Sequence, residues 1–375
     1  MPKRPPSWKP QVCLTNMVAY IIRRLLLVIP TLLGVMIVNF ALIQFVPGGP
    51  VEQVLAQLEG EGDVFAAITG GDDAGIGESA GNDQYAGARG LPQEYIEQLE
   101  REFGLDRPPL ERFTRMMWKY MQFDFGESYF RSIKVVDLVL EKMPVSISLG
   151  LWSTLLIYLV SIPLGVRKAM RDGSTFDTVT SALVIVGYGI PSFLFAIMLL
   201  VLFAGGSYWQ IFPLRGLTSN GFEELSLLGK IGDYFWHMAL PIFASVISGF
   251  ATLTLLTKNS FLDEIRKQYV VTARAKGLTE NRVLFGHIFR NAMLIVIAGF
   301  PSLFIGVFFG GSLFIETIFS LDGLGRLGFE AAISRDYPVM FGTLFAFGLL
   351  GLIVGILSDL MYVIIDPRID FEARG

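Results

Sequence analysis

An all-α polytopic membrane protein with six transmembrane helices is the fold this sequence predicts, and three observations predict it. The chain is 52% hydrophobic and only 17% charged, with 31 Phe, where a soluble domain carries roughly a quarter of its residues as charge. Six apolar runs, each near the roughly 20 residues a helix needs to cross a hydrocarbon core, lie at Leu25–Val46, Val145–Val166, Val179–Ala204, Met238–Leu256, Ala292–Phe314 and Val339–Ile365. Lys and Arg gather in the segments that alternate crossings place on one side, and that bias marks the cytoplasm. The net charge of -4 says little, because acids and bases are segregated by compartment.

Taken in order, Met1 to Asn16 is polar and proline-rich, and Arg23 and Arg24 precede an apolar run too long for a signal-peptide core. That run is expected to stay as a signal anchor entered from the cytoplasm. PGGPV at Pro47 ends it. Residues 48–143 form a hydrophilic insertion with 18 acids against 9 bases, placed outside the cytoplasm. Within it, Glu59 to Gly90 is rich in Gly, Asp and Ala, a composition expected to be flexible. Tyr95, Leu99, Leu110, Phe113, Met117 and Tyr120 then follow amphipathic spacing, interrupted at Pro108 and Pro109, which predicts short surface helices. FDFGESYF at Phe123 leads back to the membrane.

Arg167, Lys168 and Arg171 close the second run as a short cytoplasmic turn. The third contains GYGIP, where Pro191 removes a backbone donor and should kink the helix. Gly205 to Phe235 is an external loop, with Tyr208, Trp209, Tyr234 and Trp236 as an interfacial aromatic fringe. In the sixth run Asp359 lies six residues before Ile365, about 9 Å along a helix axis, which puts it near the cytoplasmic mouth. An intramembrane acid suggests function by default. Here a structural pairing near the interface carries more weight.

The segment that organises the chain is Lys258 to Asn291, which sets seven Lys or Arg (Lys258, Arg266, Lys267, Arg274, Lys276, Arg282, Arg290) against Asp263, Glu264 and Glu280. Ile265, Tyr269, Thr272 and Ala273 fall on one helical stripe, and Gly277 stops that helix. Thr279 can cap a second, short helix with Glu280 in its first turn, where it suits the helix dipole. Its apolar stripe is Val283, Leu284 and Ile288. Two short helices meeting at a glycine form a compact knob, slim enough at Ala273, Ala275 and Gly277 to enter a groove on another protein. On charge alone the plainer reading is a loop that fixes topology and touches lipid headgroups.

The string itself says more. VVTARAKGL at Val270, followed by HIFRNA at His287, resembles the cytoplasmic coupling (EAA) loop of binding-protein-dependent ABC importer permeases, in particular the dipeptide, oligopeptide and nickel branch. On the general pattern, Val271, Thr272 and Ala273 take the positions of Glu, Ala and Ala, and Gly277 is the family glycine. Val271 in place of Glu, and Arg290 in place of the terminal Pro, are departures that the peptide branch shares. ETIFSLDGLGRLG resembles the family's external Pro-Gly-Leu-Gly segment, with Asp322 where that Pro would be. SDLMYVIIDPRID resembles its closing D..Y...DPR wording, and FDFGESYF its Gly-Asp-x-Gly-x-Ser. The resemblance runs from about Tyr20 to Phe371, excepting Glu59 to Gly90.

That resemblance implies the type I ABC importer permease fold, with residues 1–375 as one permease domain, 48–143 as a periplasmic insertion and 258–290 as the coupling loop. It implies a bacterial inner-membrane subunit with both termini cytoplasmic, forming half of a pore for oligopeptides, microcin C-like peptides included. The implied partners are a second homologous permease, an ABC ATPase with two nucleotide-binding domains, a periplasmic peptide-binding protein, the peptide and the lipid bilayer. No nucleic acid and no cofactor are expected. Val271, Thr272, Ala273, Arg274, Ala275, Lys276 and Gly277 would contact the ATPase, with His287, Arg290 and Asn291 supporting the loop. Asp322, Gly323, Gly325 and Gly328 would form an external gate segment, the glycines allowing a tight turn or re-entrant hairpin.

Other classes fit less well. GLGRLG matches G-x-G-x-x-G, but no strand precedes it and no βαβ unit surrounds it. The sequence contains no P-loop, G-x-S-x-G or H-E-x-x-H string, so the chain is not read as an enzyme and ATP hydrolysis is assigned to partner subunits. Cys13 is the single cysteine, which excludes an internal disulfide. His237 and His287 are far apart, which argues against a His-based metal site, and Asp72 and Asp73 lack the EF-hand spacing. A stand-alone secondary transporter or channel needs ionisable groups near mid-bilayer, and the six runs offer only the peripheral Asp359. A membrane-embedded hydrolase would need paired acids, a nucleophile or metal ligands inside the spans.

Overall fold

The computed structural model describes residues 10–45, 49–51, 54, 93–206, 208–305 and 312–365. Among them, apart from one antiparallel bridge between Glu127 and Lys134, every regular element is helical. The first four helices are α1 (Pro10–Phe45), α2 (Gln93–Glu102), α3 (Pro109–Met121) and α4 (Val135–Met170). Next come α5 (Thr175–Gly189), α6 (Ser192–Phe203), α7 (Leu227–Ile265), α8 (Gln268–Ala275) and α9 (Glu280–Val283). After a π-helical turn at Leu284–Ile288 follow α10 (Phe289–Ala298), α11 (Phe300–Ile305), α12 (Ser312–Ile318), α13 (Leu324–Ile333) and α14 (Tyr337–Ile365). The stretch 59–90, expected to be flexible, lies outside the described residues.

Among the described residues α1, α4, α7 and α14 are long and apolar enough to cross a membrane, and α5 with α6 would make a fifth crossing. At 36 and 39 residues, α4 and α7 are about 54 and 58 Å long at 1.5 Å per residue, well beyond a ~30 Å hydrocarbon core. The expected second and fourth runs are only their apolar middles. Proline drives its predecessor out of the α region. Ile190 is accordingly extended (φ -89°, ψ 117°), Pro191 caps α6, and the two helices are bent by 94°. The kink expected there is a full break.

The expected single span Ala292–Phe314 is divided among α10, α11 and α12, with 306–311 outside the described residues. Pro301 sits in the first turn of α11, where its missing N–H is no loss. The surface helices expected before the second span are α2 and α3, and Pro109 opens α3.

The chain divides into two compact units, one of Met1–Thr31, Val145–Gly323 and Leu349–Gly375, the other of Leu32–Pro144 and Leu324–Gly348. The first is built on α7, which packs against α5, α6 and α10. Its core draws Leu149 and Ile157 from α4, Met238, Leu253 and Phe261 from α7, and Val296 from α10. Small residues let apposed helices approach where water-driven packing is absent. A Cβ on Gly249 would fall 2.4 Å from Ile157 Cδ1, and one on Gly165 2.6 Å from Thr257 Cβ. Polar groups close the remaining gaps: Tyr158 Oη donates to Val296 O at 3.0 Å and Ser260 Oγ to Ala292 O at 2.6 Å. Asp359 pairs with Arg24 of α1 at 2.8 Å, so its partner is a neighbouring helix.

The second unit has an aromatic core of Met36, Tyr120 and Phe341, with Phe40, Phe113, Phe125 and Phe345 packed around it. FDFGESYF forms a tight loop. Gly126 has φ +78° and donates its N–H to Asp124 Oδ1 at 3.0 Å. Buried Asp336 accepts Ser128 Oγ at 2.5 Å and the Tyr129 N–H at 3.3 Å.

Candidate functional site

The segment after α7 is a knob of two helices at an angle. The stripe through Ile265 and Tyr269 suggested one continuous helix, but α7 ends at Ile265 and α8 starts at Gln268. Lys267 is extended there (φ -75°, ψ 149°). Glu264 holds this corner: it pairs with Lys267 and accepts Tyr269 Oη at 2.6 Å. Asn291 Nδ2 donates to the same Tyr269 oxygen at 3.3 Å, tying the foot of α10 to the start of α8. Burial, and then the Glu264 carboxylate, raise the Tyr269 phenol above its ordinary value, so it remains a protonated donor.

Gly277 ends α8 with φ +79°. Leu278 N donates to Ala273 O at 3.4 Å and Gly277 N to Arg274 O at 2.9 Å, the pattern in which a left-handed residue just past the helix satisfies its last carbonyls. Glycine is favoured here by its backbone angle, since a Cβ would meet nothing within 4 Å. Thr279 stands at the N-cap of α9 with extended backbone but makes no capping bond with its side chain. Across the elbow Arg274 grips Glu280 through two bonds, Nε to Oε1 at 2.9 Å and Nη2 to Oε2 at 3.0 Å.

Burial divides the knob into an anchored face and an exposed one. Val270, Ala273, Val283, Leu284 and Ile288 are buried in the main core, so Ala273, expected to touch the ATPase, faces inward instead, where its small side chain packs under the elbow. Val271, Thr272, Arg274, Ala275, Lys276 and Gly277 are exposed, as are His287, Arg290 and Asn291. Two large apolar side chains stand out on this surface, Val271 at 54% exposure and Phe285 at 64%. Phe285 lies off the stripe of Val283, Leu284 and Ile288, and it escaped the sequence reading for that reason. The only signal was an aromatic residue on the polar side of a short helix.

Behind the knob lies a charged knot that sequence reading also missed. Fully buried Lys168, at the end of α4, donates to Asp177 O at 2.8 Å, Thr180 Oγ1 at 2.9 Å and Ser181 Oγ at 2.6 Å, and pairs with Asp177 Oδ1 at 3.1 Å. Lys258, at the start of the basic segment, pairs with Asp177 Oδ2 at 2.7 Å and Asp172 Oδ1 at 2.9 Å. Asp177 precedes the apolar run 179–204. The Gly173 N–H also donates to Asp177 Oδ2 at 3.1 Å, so two ammonium groups and a backbone amide hold the one carboxylate. The knot fastens α4, α5 and α7 where α7 runs on into the knob.

In the segment expected to form the external gate, the turn falls at Phe319 to Gly323, while Gly325 and Gly328 lie inside α13 rather than in a hairpin. Gly323 is required by proximity: a Cβ would fall 2.4 Å from Glu316 Cδ. Glu316 is fully buried and accepts Ser146 Oγ at 2.6 Å. Asp322 is exposed.

A family model described as "Binding-protein-dependent transport system inner membrane component" matches residues 161–371. The "Peptidoglycan transport system permease protein YejB" of Agrobacterium fabrum is 62% identical over 361 residues, covering 95% of this chain and 99% of that protein. The "Inner membrane ABC transporter permease protein YejB" of Escherichia coli O157:H7 is 57% identical over 363 residues, covering 95% and 100%. The "Oligopeptide transport system permease protein AppB" of Bacillus subtilis is 33% identical over 356 residues, covering 95% and 100%.

Proposed function

The chain belongs to the family of binding-protein-dependent transport system inner membrane components, the permease subunits of ABC importers, and from that premise we propose how it moves its cargo. It forms half of a peptide-conducting pore in the inner membrane, with a second homologous permease as the other half. An ATPase with two nucleotide-binding domains docks on the knob, and a periplasmic binding protein delivers the peptide. Oligopeptides are the substrate class, microcin C-like peptides among them.

The knob carries this reading. Its exposed residues Val271, Thr272, Arg274, Ala275, Lys276 and Gly277 meet the ATPase, while Val270 and Ala273 root it in the core. ATP-driven closure of the nucleotide domains displaces the knob. The knot at Lys258, Asp177 and Lys168 passes that displacement to α4, α5 and α7, and the bundle alternates between inward-open and outward-open states. Coupling of this kind requires an element with two states that both sites bias. The pairing of Asp359 with Arg24 weighs against a gradient-driven carrier using that acid as its ion site. Asp322, Gly323, Gly325 and Gly328 belong to the outer gate in this scheme.

The test is a Gly277→Trp variant, assayed for co-purification of the ATPase and for uptake of a toxic oligopeptide by cells otherwise lacking the chain. Both should fall sharply. Normal assembly and uptake in that variant would remove the coupling role from the knob.

A further inference from the structure

The second unit holds a cavity of about 620 Å³, a volume suited to a small organic ligand. Five cationic side chains line it, Arg101, Arg107, Arg112, Arg115 and Lys119, against three acids, Asp106, Asp124 and Glu127. Aromatic rings, among them Phe40, Phe103, Tyr120, Phe125, Tyr129 and Phe341, line it as well. The FDFGESYF loop forms one side, fixed by Asp336 and by Tyr129 Oη, which donates to Phe103 O at 3.0 Å. The cavity is therefore braced by bonds outside its own cation set.

The cations are unequally satisfied. Arg101 pairs with Glu97 at 3.4 Å, Arg107 with Glu111 at 3.0 Å and Lys119 with Asp124 at 3.7 Å. Arg112 is different. Its Nη2 donates to Gln44 Oε1 at 2.7 Å and its guanidinium lies 5.9 Å from the Phe40 ring centroid, but its buried Nε has no acceptor. A buried donor left unpaired is costly and calls for an acceptor. Arg115, one turn on, shows no hydrogen bond or ion pair among the described residues, so two guanidinium groups on one helix face carry unused donors.

We propose that this cavity binds the C-terminal end of a peptide, with the carboxylate on Arg112 and Arg115 and the last side chain against the aromatic wall. A guanidinium fork matches a carboxylate in geometry and charge. The rings and the volume favour an organic acid over a bare inorganic anion. That the acid is a peptide rests on the import reading above.

The full chain in lipid nanodiscs is titrated calorimetrically with the tripeptide Ala-Ala-Phe and with its C-terminal amide. The acid should bind roughly tenfold or more tightly than the amide, the difference one charge-assisted contact makes. Arg112→Gln should abolish that preference. Arg112→Lys should restore part of it, because it returns the charge without the fork. Arg131→Gln, which lies outside the cavity lining, should leave it intact. Arg115→Gln should reduce the preference too, and it carries the test if Arg112→Gln does not fold. Equal binding of acid and amide, a preference that survives both glutamine variants, or displacement of the peptide by inorganic phosphate at comparable concentration would overturn the proposal. Uptake of the same peptides by cells separates the two claims. No uptake through the unaltered chain counts against import itself. Uptake that ignores both the amide and Arg112→Gln counts against this site alone.

Discussion

Replacing Asp177 with Asn removes one negative charge from a knot that contains a fully buried ammonium. Lys168 keeps its neutral acceptors, Asp177 O, Thr180 Oγ1 and Ser181 Oγ, all within 2.9 Å, but loses the carboxylate at 3.1 Å. Lys258 loses the nearer of its two acids. The size follows from the burial of the pair. Stranding a buried charge costs about 3–5 kcal/mol, and the surviving neutral acceptors place the loss at the lower end. About 3 kcal/mol is therefore expected.

The measurement is denaturant-induced unfolding of the full chain in mixed micelles, followed by fluorescence of its five Trp. The double variant Lys168→Met with Asp177→Leu should recover most of the loss, since an apolar pair of similar size replaces a buried ion pair at little cost. A loss below about 1 kcal/mol would refute the reasoning, because removing one partner of a buried ion pair leaves the other charge stranded at a larger cost.

Three further outcomes follow from the same geometry. Gly249→Val should cost about 1–3 kcal/mol by overpacking, because its first carbon already meets Ile157 at 2.4 Å; unfolding in micelles reads it directly. Gly277→Ala meets no neighbour within 4 Å but keeps φ at +79°, so stability should fall by only about 1 kcal/mol, and any larger loss of uptake would report on the elbow's movement. Phe285→Asp, on an exposed ring, should leave the unfolding curve unchanged while weakening capture of the ATPase in co-purification.

The sequence rules that worked here locate apolar helices or a forbidden backbone angle, and those that failed tried to locate a helix end or a neighbour. Apolar runs marked α1, α4, α7 and α14, the described helices long and apolar enough to cross a membrane, yet α7 outruns its run on both sides, because the polar residues flanking the run still favour helix. Pro191 betrayed the break at Ile190. The division at Gly299 and Pro301 went unread because unbroken apolarity from Ala292 to Phe314 outweighed one glycine and one proline. Gly277 was legible since only glycine takes φ +79° there without strain. The corner at Arg266 and Lys267 was not, because Ile265 and Tyr269 keep helical spacing across a break that Glu264 enforces from outside the stripe.

Gly323 shows why the remaining part of the site could not be read. A glycine in a loop satisfies either a left-handed backbone or the close approach of another group, and the letter is the same for both. Here a buried carboxylate seven positions earlier occupies the space a side chain would need. Lys168, Asp177 and Lys258 pose the same difficulty. Each alone is a topological charge by a membrane edge, and only the meeting of α4, α5 and α7 turns the three into one fastening whose partners can be named.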